Sequence, residues 1–155
     1  KYGADMQLAA RAGILHDVTK ALTPGEQQAL IGRWQLPVTE FERANPQLLH
    51  AKTGAAAAQS IFGESDAVVS AIKYHTTGKP DMTALEKIIY LADMIEPNRT
   101  YPGVDAIREA AARDLDAGVL LALERTIAFL QEERAAVCET SIHARDWLLQ
   151  ARKEL

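Results

Sequence analysis

Four stretches of this chain set ionisable side chains into apolar surroundings: His16 and Asp17 in "AGILHDVTK", His50 in "LLHAKTGA", His75 in "AIKYHTTGKP" and Asp93 in "IIYLADMIE". A carboxylate taken into a protein interior without a partner costs on the order of several kcal/mol. One histidine in such a setting is more often a hydrogen-bonded structural residue than a ligand, and a His-Asp dipeptide alone carries little weight. Three histidines and two aspartates that each interrupt an apolar face point instead to a shared cation. Neutral imidazoles and carboxylates suit divalent iron, manganese and zinc, while the single Cys138 argues against a structural zinc or iron–sulfur centre. Asp93 is the sharpest case: Ile89, Tyr90 and Ile95 surround it, Lys87 and Glu96 can take the wet face, and a mid-helix carboxylate so placed needs a partner.

These residues must be carried by helices. Apolar positions recur at helical spacing almost throughout and no segment shows sustained alternation, so the chain reads as all-α. A first helix is expected from about Asp5 to Lys20, with Leu8, Ala9, Ala12 and Leu15 on one stripe. Thr23, Pro24 and Glu26 then form a capping box with proline in the first turn, opening a helix to about Trp34. A short helix follows Thr39, and another runs from Pro46 to about Phe62, where "AKTGAAAAQS" offers small side chains for close approach and Gly63 a stop. Asp66 to about His75 is the next. Thr83 and Glu86 cap the helix that carries Asp93, "NRTYPGV" is a loop, and three helices complete the chain: about Val104 to Arg113, Leu115 to Glu133, and Ser141 to the C-terminus. Ligands contributed by separate helices can meet only inside a bundle, the usual housing for histidine and carboxylate metal sites in all-α folds.

The 155 residues suit one domain with a single core, and 48% apolar and 25% charged residues describe a chain that folds. A formal net charge of −4 argues against bulk attraction to nucleic acid or anionic membranes and leaves room for local cations in a pocket. The lone cysteine, the lack of a basic-then-apolar leader and the lack of any run of membrane length predict a cytoplasmic protein.

In the order His-Asp, two spaced histidines and a helical aspartate, the chain resembles the HD-domain metal-dependent phosphohydrolases. The stretches "AGILHDVTK", "LLHAKTGA", "AIKYHTTGKP", "LEKIIYLADMIEPNRTYPGV" and "SIHARDWLL" look, in that order, like the YqeK family of symmetrical bis(5'-nucleosyl)-tetraphosphatases, and the likeness spans nearly the whole chain. The resemblance implies a single HD domain over 1–155, built as a helical bundle, that cleaves diadenosine tetraphosphate at its centre to give two ADP. It implies two divalent metal ions, iron first, with Mn, Mg, Co or Zn as alternatives. Asp17 would bridge them, His16 and Asp93 would complete one ion, and His50 and His75 would bind the other. Such ions lower the pKa of bound water and stabilise charge on the phosphorus under attack.

Around this set, Lys20 lies three residues after Asp17 and, on a continuing helix, would project about one turn along, towards a phosphoryl oxygen. Arg99 suits a bidentate phosphate contact and Lys79 a simple electrostatic one; for each the plain alternative is a solvated surface charge. Thr76, Thr77 and Gly78 offer hydroxyls and open backbone to a phosphate, and Tyr101, Pro102 and Gly103 could lie beside a nucleobase. No P-loop signature is present. His143 reads as structural or as a pocket wall. HD-domain enzymes normally carry a further histidine on a helix upstream of the His-Asp pair, which this chain starts too late to contain. The expectation is that such a helix precedes Lys1 in the natural protein, that the domain is incomplete here relative to the family, and that the open wall invites a homodimer. Two rivals stand beside this reading: the same architecture acting on other nucleotides, and a non-catalytic nucleotide-binding module.

Overall fold

The computed structural model describes residues 2–153 and is all-helical over them. Nine α-helices succeed one another there: α1 (Met6–Leu15), α2 (Pro24–Trp34), α3 (Glu40–Ala44), α4 (Leu49–Ser60), α5 (Asp66–Lys73), α6 (Ala84–Ile95), α7 (Val104–Arg113), α8 (Leu115–Glu132) and α9 (Glu139–Ala151). A 3₁₀ turn, Pro46–Leu48, leads into α4. The start signals are local. Thr23, Thr39 and Thr83 each accept from the backbone three residues on, while Glu26, Glu42 and Glu86 reach back to the cap, so three helices begin with complete capping boxes.

Helix α6 is the central element because two cores meet on it. Leu85 and Ile89 pack with Ala12, Leu15, Ala58, Val68 and Ile72 of α1, α4 and α5. Tyr90 and Leu91 pack with Ile107, Val119, Leu123, Ala144 and Leu148 of α7, α8 and α9. On α7 and α8 the approach is so close that a Cβ on Gly118 would lie 2.7 Å from the Cα of Ala111. Among the described residues no helix is long and apolar enough to cross a membrane.

Several boundaries differ from the sequence expectation, each for a local reason. Helix α1 ends at Leu15, not Lys20: Val18, Lys20 and Leu22 donate to carbonyls three residues back, and the chain tightens into successive turns. The turn is drawn inward by Thr19, which is buried and bonds to α4. The small side chains of α4 permit close approach by both α5 and this turn; a Cβ on Gly54 would stand 3.4 Å from the carbonyl oxygen of His16 and 3.6 Å from Ile72 of α5. The segment expected as one helix from Pro46 divides into the 3₁₀ turn and α4, which ends at Ser60, with Gly63 at φ +66° beyond it. Helix α5 stops at Lys73, two residues before His75, and α9 begins two residues before Ser141. Lys1, Glu154 and Leu155, part of the expected domain and last helix, lie outside the described residues.

Candidate metal centre

Three histidines from three segments are oriented by the same local device. His16 Nδ1 lies 2.7 Å from the Gly13 carbonyl, His50 Nδ1 2.7 Å from that of Gln47, and His75 Nδ1 2.7 Å from that of Ile72. In every case the partner is the carbonyl three residues back. A carbonyl oxygen only accepts, so Nδ1 carries the proton and, in the neutral ring, Nε2 presents a bare lone pair.

Those lone pairs converge on Asp17. His50 Nε2 is 3.2 Å and His75 Nε2 3.5 Å from Asp17 Oδ1, while His16 Nε2 is 3.4 Å from Oδ2. The His50 and His75 Nε2 atoms are themselves 3.2 Å apart. Asp17 Oδ1 is buried and has no hydrogen-bond donor, because the imidazole nitrogens nearest to it have no proton to give. Acceptors facing acceptors repel, and a cation among them turns every one of these contacts favourable. His16, Asp17 and His75 each offer a ligand atom within 4.8 Å of the others, a triad that could hold a metal ion, with His50 beside it. The donor set, nitrogen and carboxylate oxygen, fits a divalent transition metal.

Electrostatics keep the groups in the ligating state. Burial, with His50 and His16 as neighbours, pushes the His75 imidazole down to about 4, so it is neutral near pH 7. Burial would raise Asp17, but the hydrogen bond from Lys20 and the charges of His16, Lys20 and His50 outweigh it and hold the carboxyl below its usual value. Lys20 Nζ sits 2.6 Å from Asp17 Oδ2. The lysine expected on a continuing helix therefore reaches the aspartate by way of a tight turn.

Beneath the turn lies a buried polar network with no early signal in the sequence. Thr19 donates to the His50 carbonyl (3.1 Å) and meets Thr53 at 2.8 Å; Gln27 donates to the Thr19 carbonyl (2.6 Å) and accepts from Thr53. All three side chains are buried, and together they bind the Asp17 turn to the backbone of the His50 helix.

Other expected residues make further contacts. Asp93 lies at the end of α6 and pairs with Arg99, whose Nη2 is 2.9 Å from its carboxylate and whose Nε donates to its carbonyl. Among the described residues no imidazole lies within ion-pair distance of Asp93, and the Arg99 guanidinium is turned onto Asp93 and Glu96. Arg108, which drew no attention in the sequence, donates to the carbonyls of Ile95, Glu96 and Arg99 and so fixes this loop to α7. Lys79 bonds to buried Glu86 (3.3 Å) and to the Asp81 carbonyl and lies over the Tyr74 ring. Burial would raise the Glu86 carboxyl, but Ser70, Thr83 and Lys79 hold it below its usual value. Lys79, expected at a phosphate, thus also forms a structural pair with Glu86. Gly78, at φ +66°, turns the chain with Ala144 and Met82 against it.

Thr76 and Thr77 line a cleft of about 410 Å³ with Phe41, Lys52, Tyr74 and the segment Val137 to Thr140, which the sequence did not mark. Tyr101 and Pro102 line a different cleft, with Phe129 and Arg125, and the Tyr101 hydroxyl donates to the Met94 carbonyl. Gly103, at φ +89°, has the Arg125 guanidinium where a Cβ would stand. His143 is exposed near Glu139, away from the imidazole cluster.

The chain matches the HD domain family over residues 1–98. It is 39% identical over 150 residues to a protein of Bacillus subtilis (strain 168) named "Bis(5'-nucleosyl)-tetraphosphatase, symmetrical", covering 96% of this chain and 80% of that one. A protein of the same name from Halalkalibacterium halodurans is 40% identical over 153 residues, with 98% and 81% covered. Among solved structures, a "predicted HD superfamily hydrolase involved in NAD metabolism from Clostridium acetobutylicum" superposes with a TM-score of 0.92 at 35% identity, covering 97% of this chain and 80% of that one.

Proposed function

The chain belongs to the HD-domain hydrolases, to the YqeK-like family of symmetrical bis(5'-nucleosyl)-tetraphosphatases, and from that membership we propose that it hydrolyses diadenosine tetraphosphate to two ADP. Water adds to one of the two central phosphorus atoms, the P–O bond to the bridging oxygen between them breaks, and each half leaves as ADP. The observation that carries this reading is the cluster of Nε2 lone pairs around a buried Asp17 oxygen that lacks a donor.

His16, Asp17 and His75 would hold the ion, with His50 beside them. Asp17 directs Oδ1 to His50 and His75 and Oδ2 to His16, and two divalent ions, iron in the first place, would suit these nitrogen and oxygen donors. Asp93, which here pairs with Arg99, would be the further carboxylate ligand for an ion on the His16 side. A divalent ion bound there supplies a Lewis acid and lowers the pKa of a coordinated water towards neutrality. The Nδ1 bonds keep each ring's lone pair aimed. Lys20 sets its positive charge beside Asp17, where negative charge builds on the phosphoryl oxygens, and Arg99 contributes a second cation from the loop after α6.

One nucleoside lies in the 410 Å³ cleft, whose Phe41 and Tyr74 suit a base and whose threonine hydroxyls suit ribose and phosphate oxygens. The net charge of −4 fits a nucleotide enzyme of the cytoplasm better than a binder of nucleic acid or membrane, and a homodimer is compatible with the exposed Met6 and Ile14 on α1. The test is metal content and product analysis on one sample purified without chelator under low oxygen. Bound transition metal with ADP as sole product supports the reading; metal-loaded protein that leaves diadenosine tetraphosphate intact refutes it.

A further inference from the structure

Symmetrical cleavage imposes a geometric demand. The bond that breaks is at the middle of the tetraphosphate, so two equal halves, each a nucleoside diphosphate, must extend from Asp17 in different directions. The 410 Å³ cleft takes one of them.

A second concavity, about 220 Å³, adjoins the metal centre and shares no lining residue with the first. Lys20 and His50, both in contact with Asp17, mark the side on which it meets the metal centre. The 3₁₀ turn Pro46–Leu48 is the ridge between the two: Pro46 and Gln47 line the smaller cleft, and Leu48, followed by Ala51 and Lys52, lines the larger. The ridge ends at His50, whose ring is aimed by the Gln47 carbonyl.

We infer that this smaller cleft, walled by Leu22, Pro24, Pro46 and Gln47, receives the second nucleoside of a dinucleoside tetraphosphate. The inference rests on the proposed function. Two proline rings and a leucine present flat apolar faces of the kind a base stacks on, and the Gln47 amide offers both a donor and an acceptor to a base edge. Lys20 is the one cation among the lining residues, and it stands on the side where the phosphates enter. The cleft is smaller and more open, so the second half binds more weakly than the first, as a leaving product should.

The test uses Gln47→Trp, which fills the cleft from an exposed position and keeps the backbone carbonyl that orients His50. Titration of the protein as purified with ADP should give two sites per chain for the wild type and one for the variant. The ratio of kcat/KM for diadenosine tetraphosphate over adenosine 5'-tetraphosphate, which has the same phosphates and a single nucleoside, should fall about tenfold in the variant, the size of effect a reshaped apolar pocket gives. Should Gln47→Trp fold poorly, Leu22→Ser, which removes a wall without adding bulk, should lower the same ratio. One ADP site in the wild type, or an unchanged ratio in well-folded variants, would overturn the inference alone. Wild-type protein that cleaves neither compound would overturn the functional reading and this one with it.

Discussion

His50 and His75 face each other Nε2 to Nε2 at 3.2 Å, although each commits its Nδ1 proton to a backbone carbonyl. Two lone pairs at that distance repel, and a cation between or beside them relieves the repulsion. Chelation should therefore lower the thermal midpoint, and adding back Fe²⁺ or Mn²⁺ at about 100 times its Kd should restore about 2.7 kcal/mol. Scanning calorimetry with and without metal checks this; identical midpoints would remove the case for a metal centre.

Replacing Asp17 by Asn keeps its size and removes the charge that three imidazoles and Lys20 surround. Metal content should drop to background and hydrolysis should fall by at least about 10³-fold, the scale expected when metal-assisted activation of water is lost. Elemental analysis alongside product chromatography decides, and a variant that retains its metal would show that the ion binds elsewhere.

In metal-free protein, stability should decline on mild acidification. The His75 imidazole is held at about 4 in the fold against 6.5 when exposed, so between these values the unfolded chain binds the extra proton. Its contribution is fully present above 6.5 and is lost as pH falls towards 4. Asp17, also lowered, adds a further loss as pH falls below 3.8. Urea midpoints across this range should slope downward, and His75→Gln should flatten the part between 6.5 and 4.

Arg108 binds three carbonyls of the loop between α6 and α7. Truncation to Ala leaves them without that donor, at a cost of about 1–3 kcal/mol, and frees Arg99 and Asp93 to move. Activity should fall while the metal held by the histidines stays in place. Loss of metal in step with activity would place Arg108's influence on the triad instead.

Gly118→Ala should destabilise by about 1–3 kcal/mol, because the new Cβ would meet the backbone of Ala111 at 2.7 Å and neither helix can yield without disturbing the core. The midpoint should shift while activity at low temperature persists.

Most of the fold was legible because its signals are local: proline and threonine caps, helical spacing and glycine stops can be read one segment at a time. The histidines and Asp17 were legible for a similar reason, since each breaks an apolar face. What escaped depended on distant partners. Helix α1 stops at Leu15 because Thr19 finds the His50 carbonyl, and nothing near Thr19 in sequence announces that. Gln27 reads as a helix-surface amide until Thr53 is seen opposite it. The partners of Lys79 and Arg99 were hidden too, because a lysine or arginine on a loop does not reveal that a buried Glu86 or an Asp93 lies beside it.

The two cores that share α6 have a kinetic consequence. Leu85 and Ile89 serve one side and Tyr90 and Leu91 the other, so neither half of the bundle can open while α6 remains docked on both. The amides of α6 should then be among the slowest in the molecule to exchange with solvent deuterium, released only when the whole chain unfolds.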